Sequence, residues 1–309
     1  MAEFSFEKIN YSLRPNKSVE RKLIVRLLAA IDQSANLDIK SYTYIGLGSM
    51  WFVDFILIHR NLGLSSLISI EREESRKGRA EFNRPYSCVK IEPGETDKVL
   101  KSVIQKHPKC VVWLDYDDQL SDFMFEDIET FCRGCAAGSV LFASMNANLS
   151  NLRQDYKTVE DQAAELRRIA GAENVPADAE RRLSQNTFPV LVNEILLTKM
   201  QSFALSARPE LKFLPLLNVS YSDGVPMATC GGILATQEQQ TALGSLSTSA
   251  YEHLAMPQLT HKEKLELDRL MPSASPPDYR TLPFELKQTE IDAYWKYYLQ
   301  YPLYSELLF

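Results

Sequence analysis

Gly46, Gly48 and Ser49 follow a short β-favouring run ending in Ile45, and Glu71 closes a second apolar run 23 residues beyond Gly48. Glycines let backbone approach a ligand closely. An acid at a strand tip roughly 20 residues further on accepts hydrogen bonds from ribose hydroxyls. The combination is the chemistry of nucleotide capture. A second set of acids lies in WLDYDD, where Asp115, Asp117 and Asp118 end another apolar run. Asn146 and Asn148 end the next run, 31 and 33 residues after Asp115. A carboxylate at such a place can orient an acceptor or take its proton, and an Asp and an Asn on adjacent strand tips could share one hard divalent cation such as Mg2+. The competing reading makes Asp117 and Asp118 helix caps and Asn146 a turn residue. Arg14, Lys17, Arg21 and Lys22 form a small basic cluster, read either as a solvated helix face or as a subsite for a substrate or anion, with Arg14 and Lys17 as its contacts.

These residues need elements to hold them. A helical apolar face carried by Val19, Leu23, Val25, Leu27 and Ile31, with Ser18 as its N-cap, precedes a first strand at Tyr42 to Gly46. Strands are then expected at Leu67 to Glu71, Cys88 to Glu92, Cys110 to Asp115 and Ser139 to Ser144. Helices at Trp51 to Leu62, Ser75 to Asn83, Thr96 to Lys106 and Phe123 to Cys135 alternate with them. Such alternation predicts a doubly wound, Rossmann-like α/β fold with a mostly parallel sheet. Residues 150 to 185 are charged and strandless, a helical insertion that is either a solvated face or a substrate lid. A further helix over Asn186 to Leu205 leads to two apolar runs joined by Ser222-Asp223-Gly224, an antiparallel hairpin signal. Residues 271 to 283 read as a linker. After it Tyr294, Tyr297, Tyr298 and Tyr301 share one helical face, suited to intramolecular core, to a homo-oligomer or protein-partner contact, or to a substrate-facing wall.

Composition narrows the classes. The 309 residues are 45% hydrophobic and 24% charged, values of an ordinary globular protein. A net charge of −6 speaks against nucleic acid as partner. Five cysteines without a signal-peptide pattern predict a cytoplasmic protein without structural disulfides, and Cys132-x-x-Cys135 has no second pair to complete a metal site. The apolar stretch Tyr42 to Ile58 contains two glycines and Asp54, so no membrane span is expected. His59, His107, His253 and His261 have no partner motif, and neither a Gly-x-Ser-x-Gly elbow nor a Walker loop is present.

Over Ser41 to Thr236 the pattern resembles the class I S-adenosylmethionine-dependent methyltransferases, within them a bacterial O-methyltransferase-like subgroup. The resemblance implies that Gly46, Gly48 and Ser49 lie against the methionine part of S-adenosylmethionine, that Glu71 holds the ribose, and that Glu95, in Gly94-Glu95-Thr96, meets the adenine amine. Asp115 would face the transferred methyl, with Asp117 and Asn146 beside it. Tyr44 stands where the family has an acid, and Met50 where a third glycine is common. The Asn/Asp-Pro-Pro-aromatic signature of enzymes acting on exocyclic base amines is absent. The acids also resemble the magnesium set of catechol-type O-methyltransferases, minus its second aspartate, because the strand end reads SMNAN.

The expected organisation is an N-terminal helical extension (1–40), a methyltransferase-like core (41–236) and a C-terminal helical extension (237–309). The expected activity is methyl transfer from S-adenosylmethionine to an oxygen, or less readily a nitrogen, of a small or medium-sized acceptor. Asp115 would position or deprotonate that acceptor. Two alternatives are an NAD-dependent oxidoreductase, against which Trp51 stands at the third glycine position of a dinucleotide fingerprint, and a catalytically degenerate fold serving as a binding or scaffold protein.

Overall fold

A computed structural model describes residues 14–48, 50–72, 75 and 77–303. Helix α1 (Pro15–Ala35) begins earlier than the sequence suggested, with Arg14 rather than Ser18 at the N-cap. Proline at the first helical position explains the shift, since its fixed φ suits that place and its missing N–H is not needed there. The helix buries Val19, Ile24, Leu28 and Ile31 and stops at Asn36, which adopts a left-handed conformation.

The alternating series follows as β1 (Thr43–Leu47), α2 (Val53–Leu62), β2 (Ser66–Glu71), α3 (Lys77–Phe82), β3 (Val89–Pro93), α4 (Thr96–Lys106), β4 (Cys110–Gln119), α5 (Asp122–Gly134) and β5 (Val140–Asn146). The insertion holds α6 (Leu149–Asp155) and α7 (Val159–Ala170) and leads into α8 (Phe188–Ala207). The hairpin is β6 (Lys212–Ser222) and β7 (Pro226–Ala235), followed by α9 (Gln237–Ala242), β8 (Glu252–Leu254), α10 (His261–Arg269) and α11 (Gln288–Tyr297). Among the described residues the sheet has eight strands in the order β3-β2-β1-β4-β5-β7-β6-β8. The first five run parallel, β7 is antiparallel to β5 and β6, and β8 pairs parallel with β6. The Rossmann-like, mostly parallel architecture with a terminal antiparallel hairpin is therefore present. The three-residue edge strand β8 was not foreseen, because YEHL carries no period of its own and becomes a strand through its partner β6.

Side-chain alternation assigns the two faces. Along β4, Cys110, Val112, Leu114 and Tyr116 join the core under α4, α5 and α8, while Val111 and Trp113 join the core under α1 and α2. Tyr44, Leu67, Val140 and Phe142 lie on that second face too. Gly46, Gly48, Ser69, Glu71, Asp115, Ser144 and Asn146 keep the same parity, so the candidate chemistry is gathered on the α1 side of the strand tips.

The candidate cofactor and acceptor site

Three neighbouring strand tips meet at the carboxyl edge of the sheet, where open α/β folds receive ligands. Gly48 N–H donates to Ile70 O at 3.4 Å, and Gly94 N–H to Glu71 O at 2.9 Å, so the loops after β1 and β3 are both tied to the end of β2. Gly94 has φ +131°, a conformation that favours glycine. Ser69 Oγ donates to Glu71 Oε1 at 3.0 Å, and a Cβ on Gly48 would overlap both of those oxygens. The bare Cα is thus what leaves the Glu71 carboxylate its place. Burial pushes the Glu71 carboxyl above its ordinary range, tempered by the Ser69 hydroxyl. Gly46 has a related role, since a Cβ there would press on the Tyr44 ring at about 3 Å. Ser49 lies outside the described residues.

Glu95 precedes the first turn of α4 and is exposed, its carboxylate 2.5 Å from Lys98 Nζ, and that hydrogen bond holds it below the usual carboxylate range. Tyr44, in the position of the family's acid, is fully buried and donates from its hydroxyl to Asp54 Oδ2 at 2.5 Å. Asp54 stands in the first turn of α2, so an acid does reach this corner, supplied by the helix instead of the strand. Burial raises its carboxyl, opposed by the nearby Arg21 cation and the Tyr44 hydroxyl.

At the tip of β4 the register slips: Asp115 pairs with Ser144, but Gln119 pairs with Asn146, so the residues between them bulge outward. Asp115 stays on the α1 side with 32% of its side chain exposed. Asp117 and Asp118 are carried to the surface, where Asp118 lies 3.5 Å from Arg72. The structure thus separates Asp117 and Asp118 from Asp115, which their spacings of two and three residues did not reveal. Tyr116 turns to the opposite face and donates to the buried Asp127 on α5 at 2.6 Å.

The basic cluster folds inward. Lys17, only 3% exposed, places Nζ 2.7 Å from Asp115 Oδ1 and 2.8 Å from Glu20 Oε2, with Nζ 4.9 Å from the Trp113 ring centroid and 5.6 Å from that of Tyr221. Burial works against this ammonium, but Asp115 and Glu20 outweigh it and keep it charged far above neutral pH. Glu20 is fully buried and accepts from the Thr229 hydroxyl, and Ser144 Oγ lies 3.4 Å away. Burial raises the Glu20 carboxyl, with Lys17 opposing. Arg21 is buried as well, and Lys22 Nζ donates to Gln300 O at 2.9 Å, so this cluster is no solvated helix face. Arg14 is half-buried at the start of α1. Glu20, Asp54 and Thr229 carried no signal of their own in the sequence beyond the i,i+3 spacing of Lys17 and Glu20.

A shared divalent cation does not fit these donors. Asp115 Oδ1 already accepts from an ammonium, and Asn146 Oδ1 accepts the N–H of Asn148 at 2.9 Å. Among the described residues no group of three or more His, Cys, Asp or Glu side chains could hold a metal ion. The donors and acceptors at the tips fit S-adenosylmethionine better: a bare glycine backbone leaves room for its amino-acid part, and a carboxylate at the end of β2 is an acceptor for ribose hydroxyls. No helix among the described residues is long and apolar enough to cross a membrane.

No curated protein matches the chain. Solved structures with similar shape include Trm1 from Pyrococcus horikoshii with S-adenosyl-L-methionine, at 12% identity and a TM-score of 0.45, covering 73% of this chain and 57% of that one. Cofactor-bound Rv0187 from MTB aligns at 13% identity and a TM-score of 0.39, over 69% of this chain and 80% of its own. A Klebsiella pneumoniae structure described as a "putative O-methyltransferase" aligns at 14% identity and a TM-score of 0.39, over 71% and 80%. The sequence model of the family described as "Putative O-methyltransferase" matches residues 9–309, nearly the whole chain. With its strand order and glycine turn, the chain belongs to this family of methyltransferase enzymes.

Proposed function

We propose that the chain transfers a methyl group from S-adenosylmethionine to an oxygen, less readily a nitrogen, of a small or medium-sized acceptor. The observation that carries this reading is the Gly48–Glu71 pairing at adjacent tips, a bare Cα facing a carboxylate that can accept two ribose hydroxyls. When bound, S-adenosylmethionine supplies an electrophilic methyl on a sulfonium, and the displacement is in-line, so positioning is the enzyme's main task. Gly46 and Gly48 would give backbone access for the methionine part, Glu71 would hold the ribose, and Glu95 would meet the adenine amine. Asp115 borders both the methionine end of the cofactor and the acceptor, contacting the one and receiving the hydroxyl of the other as an oriented hydrogen-bond acceptor, and Asn146 lines the neighbouring tip.

Calorimetric titration with S-adenosylmethionine, S-adenosylhomocysteine and NAD, each with and without magnesium, tests the reading. Micromolar binding of the first two, lost in Glu71→Ala and indifferent to magnesium, is expected. Binding of NAD alone would replace the activity with a dehydrogenase, and binding of none would leave a scaffold.

A further inference from the structure

We propose that Lys17 is a positioning residue of the site, acting through Asp115, and that the start of helix α1 is therefore part of the methyl-transfer machinery. The inference rests on the role given to Asp115 above. Without a partner, a carboxylate one-third exposed beside a bulge would sample several rotamers in water. The ammonium at 2.7 Å selects one of them.

Lys17 can do this because it is itself immobile. Its backbone N–H donates to Asp223 Oδ2 at 2.9 Å, and Asn16 Nδ2 donates to Asp223 Oδ1 at 2.8 Å and Ser222 O at 3.3 Å. Asn16 Oδ1 in turn accepts the N–H of Met256 at 2.8 Å. Behind the ammonium, Glu20 is fixed by Thr229, and the nearby Ser144 hydroxyl accepts from Trp113 Nε1 at 2.9 Å. A sequence of fixed groups from β4, β5, β7 and the β6–β7 turn thus ends on Asp115, the carboxylate at the tip of β4. An ion pair that served stability alone would not pass anything to ligand affinity; this one does.

The test is a mutant cycle read by calorimetry, with S-adenosylmethionine and S-adenosylhomocysteine as probes. The double variant Lys17→Met/Glu20→Gln removes the ammonium without stranding a buried carboxylate, because Asp115 reaches solvent. It should weaken both probes by about tenfold or more, the effect of losing a charge-assisted contact. The same change made on Asp115→Asn should cost nothing further, since neighbours acting as a unit are not additive. Lys17→Arg should retain most of the affinity. Undiminished affinity in the double variant, an equal loss on the Asp115→Asn background, or no effect of Asp115→Asn itself would each overturn the proposal. Failure of the unaltered protein to bind either probe would instead overturn the methyl-donor reading. A measurement on the unaltered fold guards against variants that do not fold. In protein labelled with 15N-lysine, the ammonium signal assigned by Lys17→Arg should move on adding S-adenosylhomocysteine, and a stationary signal would count against the coupling.

Discussion

Gly48 and Glu71 divide one small volume between them, and the division predicts separable effects. In Gly48→Ala the new methyl meets only the movable ends of Glu71 and Ser69. The variant should therefore fold, with a melting temperature near that of the parent, yet bind S-adenosylmethionine about tenfold or more weakly, because the carboxylate is displaced from its hydrogen bonds. Acidity should act on the same group. Burial raises the Glu71 carboxyl, and its protonated form offers fewer acceptors to ribose. Affinity should then fall as pH drops through that raised value, at a higher pH than a solvent-exposed glutamate would give. In Glu71→Gln this part of the pH dependence should vanish. The glycines and Glu71 were legible in the sequence because their spacing sits inside one strand–helix–strand unit. The Lys17–Glu20–Asp115–Thr229 cluster was not, since its members lie 98 and 209 residues apart and meet only through the tertiary fold.

Helices and strands show where periodicity suffices and where it fails. The expected alternation from Tyr42 to Ser144 and the hairpin at Asp223-Gly224 correspond to the observed elements within a few residues, since apolar period and turn chemistry both act locally. The extension of β4 past Asp115 through a bulge depends on pairing with β5, which local pattern does not encode. Strand β7 carries a constraint of the same kind: a Cβ on Gly231 would overlap the carbonyl oxygen of Leu141, and one on Gly232 that of Leu214. Both obstacles are backbone. Gly231→Ala should lower stability by more than about 3 kcal/mol, the upper end of ordinary overpacking, in contrast to Gly48→Ala. Between α5 and β4, burial raises the Asp127 carboxyl to about 6, eased by the Thr96 and Tyr116 hydroxyls. Because the folded value lies above the unfolded one, this carboxyl favours the fold below about pH 4, and the contribution is lost as pH rises through 6. Denaturant titrations should show Asp127→Asn gaining on the parent between pH 4 and 7 by up to about 3 kcal/mol.

At the scale of the molecule, the C-terminal segment closes the face that α1 and α2 begin. Tyr294 and Tyr301 are buried in that core with ring centroids 5.1 Å apart, Tyr294 donates to Asp268 Oδ1 at 2.6 Å, and Tyr301 donates to Pro257 O at 2.8 Å. Tyr294→Ala should cost about 3–5 kcal/mol, as a large buried aromatic does, and chemical denaturation would measure it. Of the four tyrosines expected on one helical face, Tyr294 and Tyr297 lie in α11, while the helix ends at Tyr297 and Tyr301 reaches the core from the turn that follows; which surface they would meet was not legible, because that surface is assembled from α1, β8 and α10. The bond from Asn16 and Lys17 to Asp223 has a consequence in time. A growing chain can form the glycine turn and the strands up to β5 from its first half alone. The loop that fixes α1 over those tips closes only when residue 223 has emerged, more than 200 residues after the groups it holds. Until then the first turn of α1 has the Lys17–Asp115 pair but not the bonds to Asp223 that fix its backbone, so the site is completed late, by a contact of high sequence separation whose closure is slow.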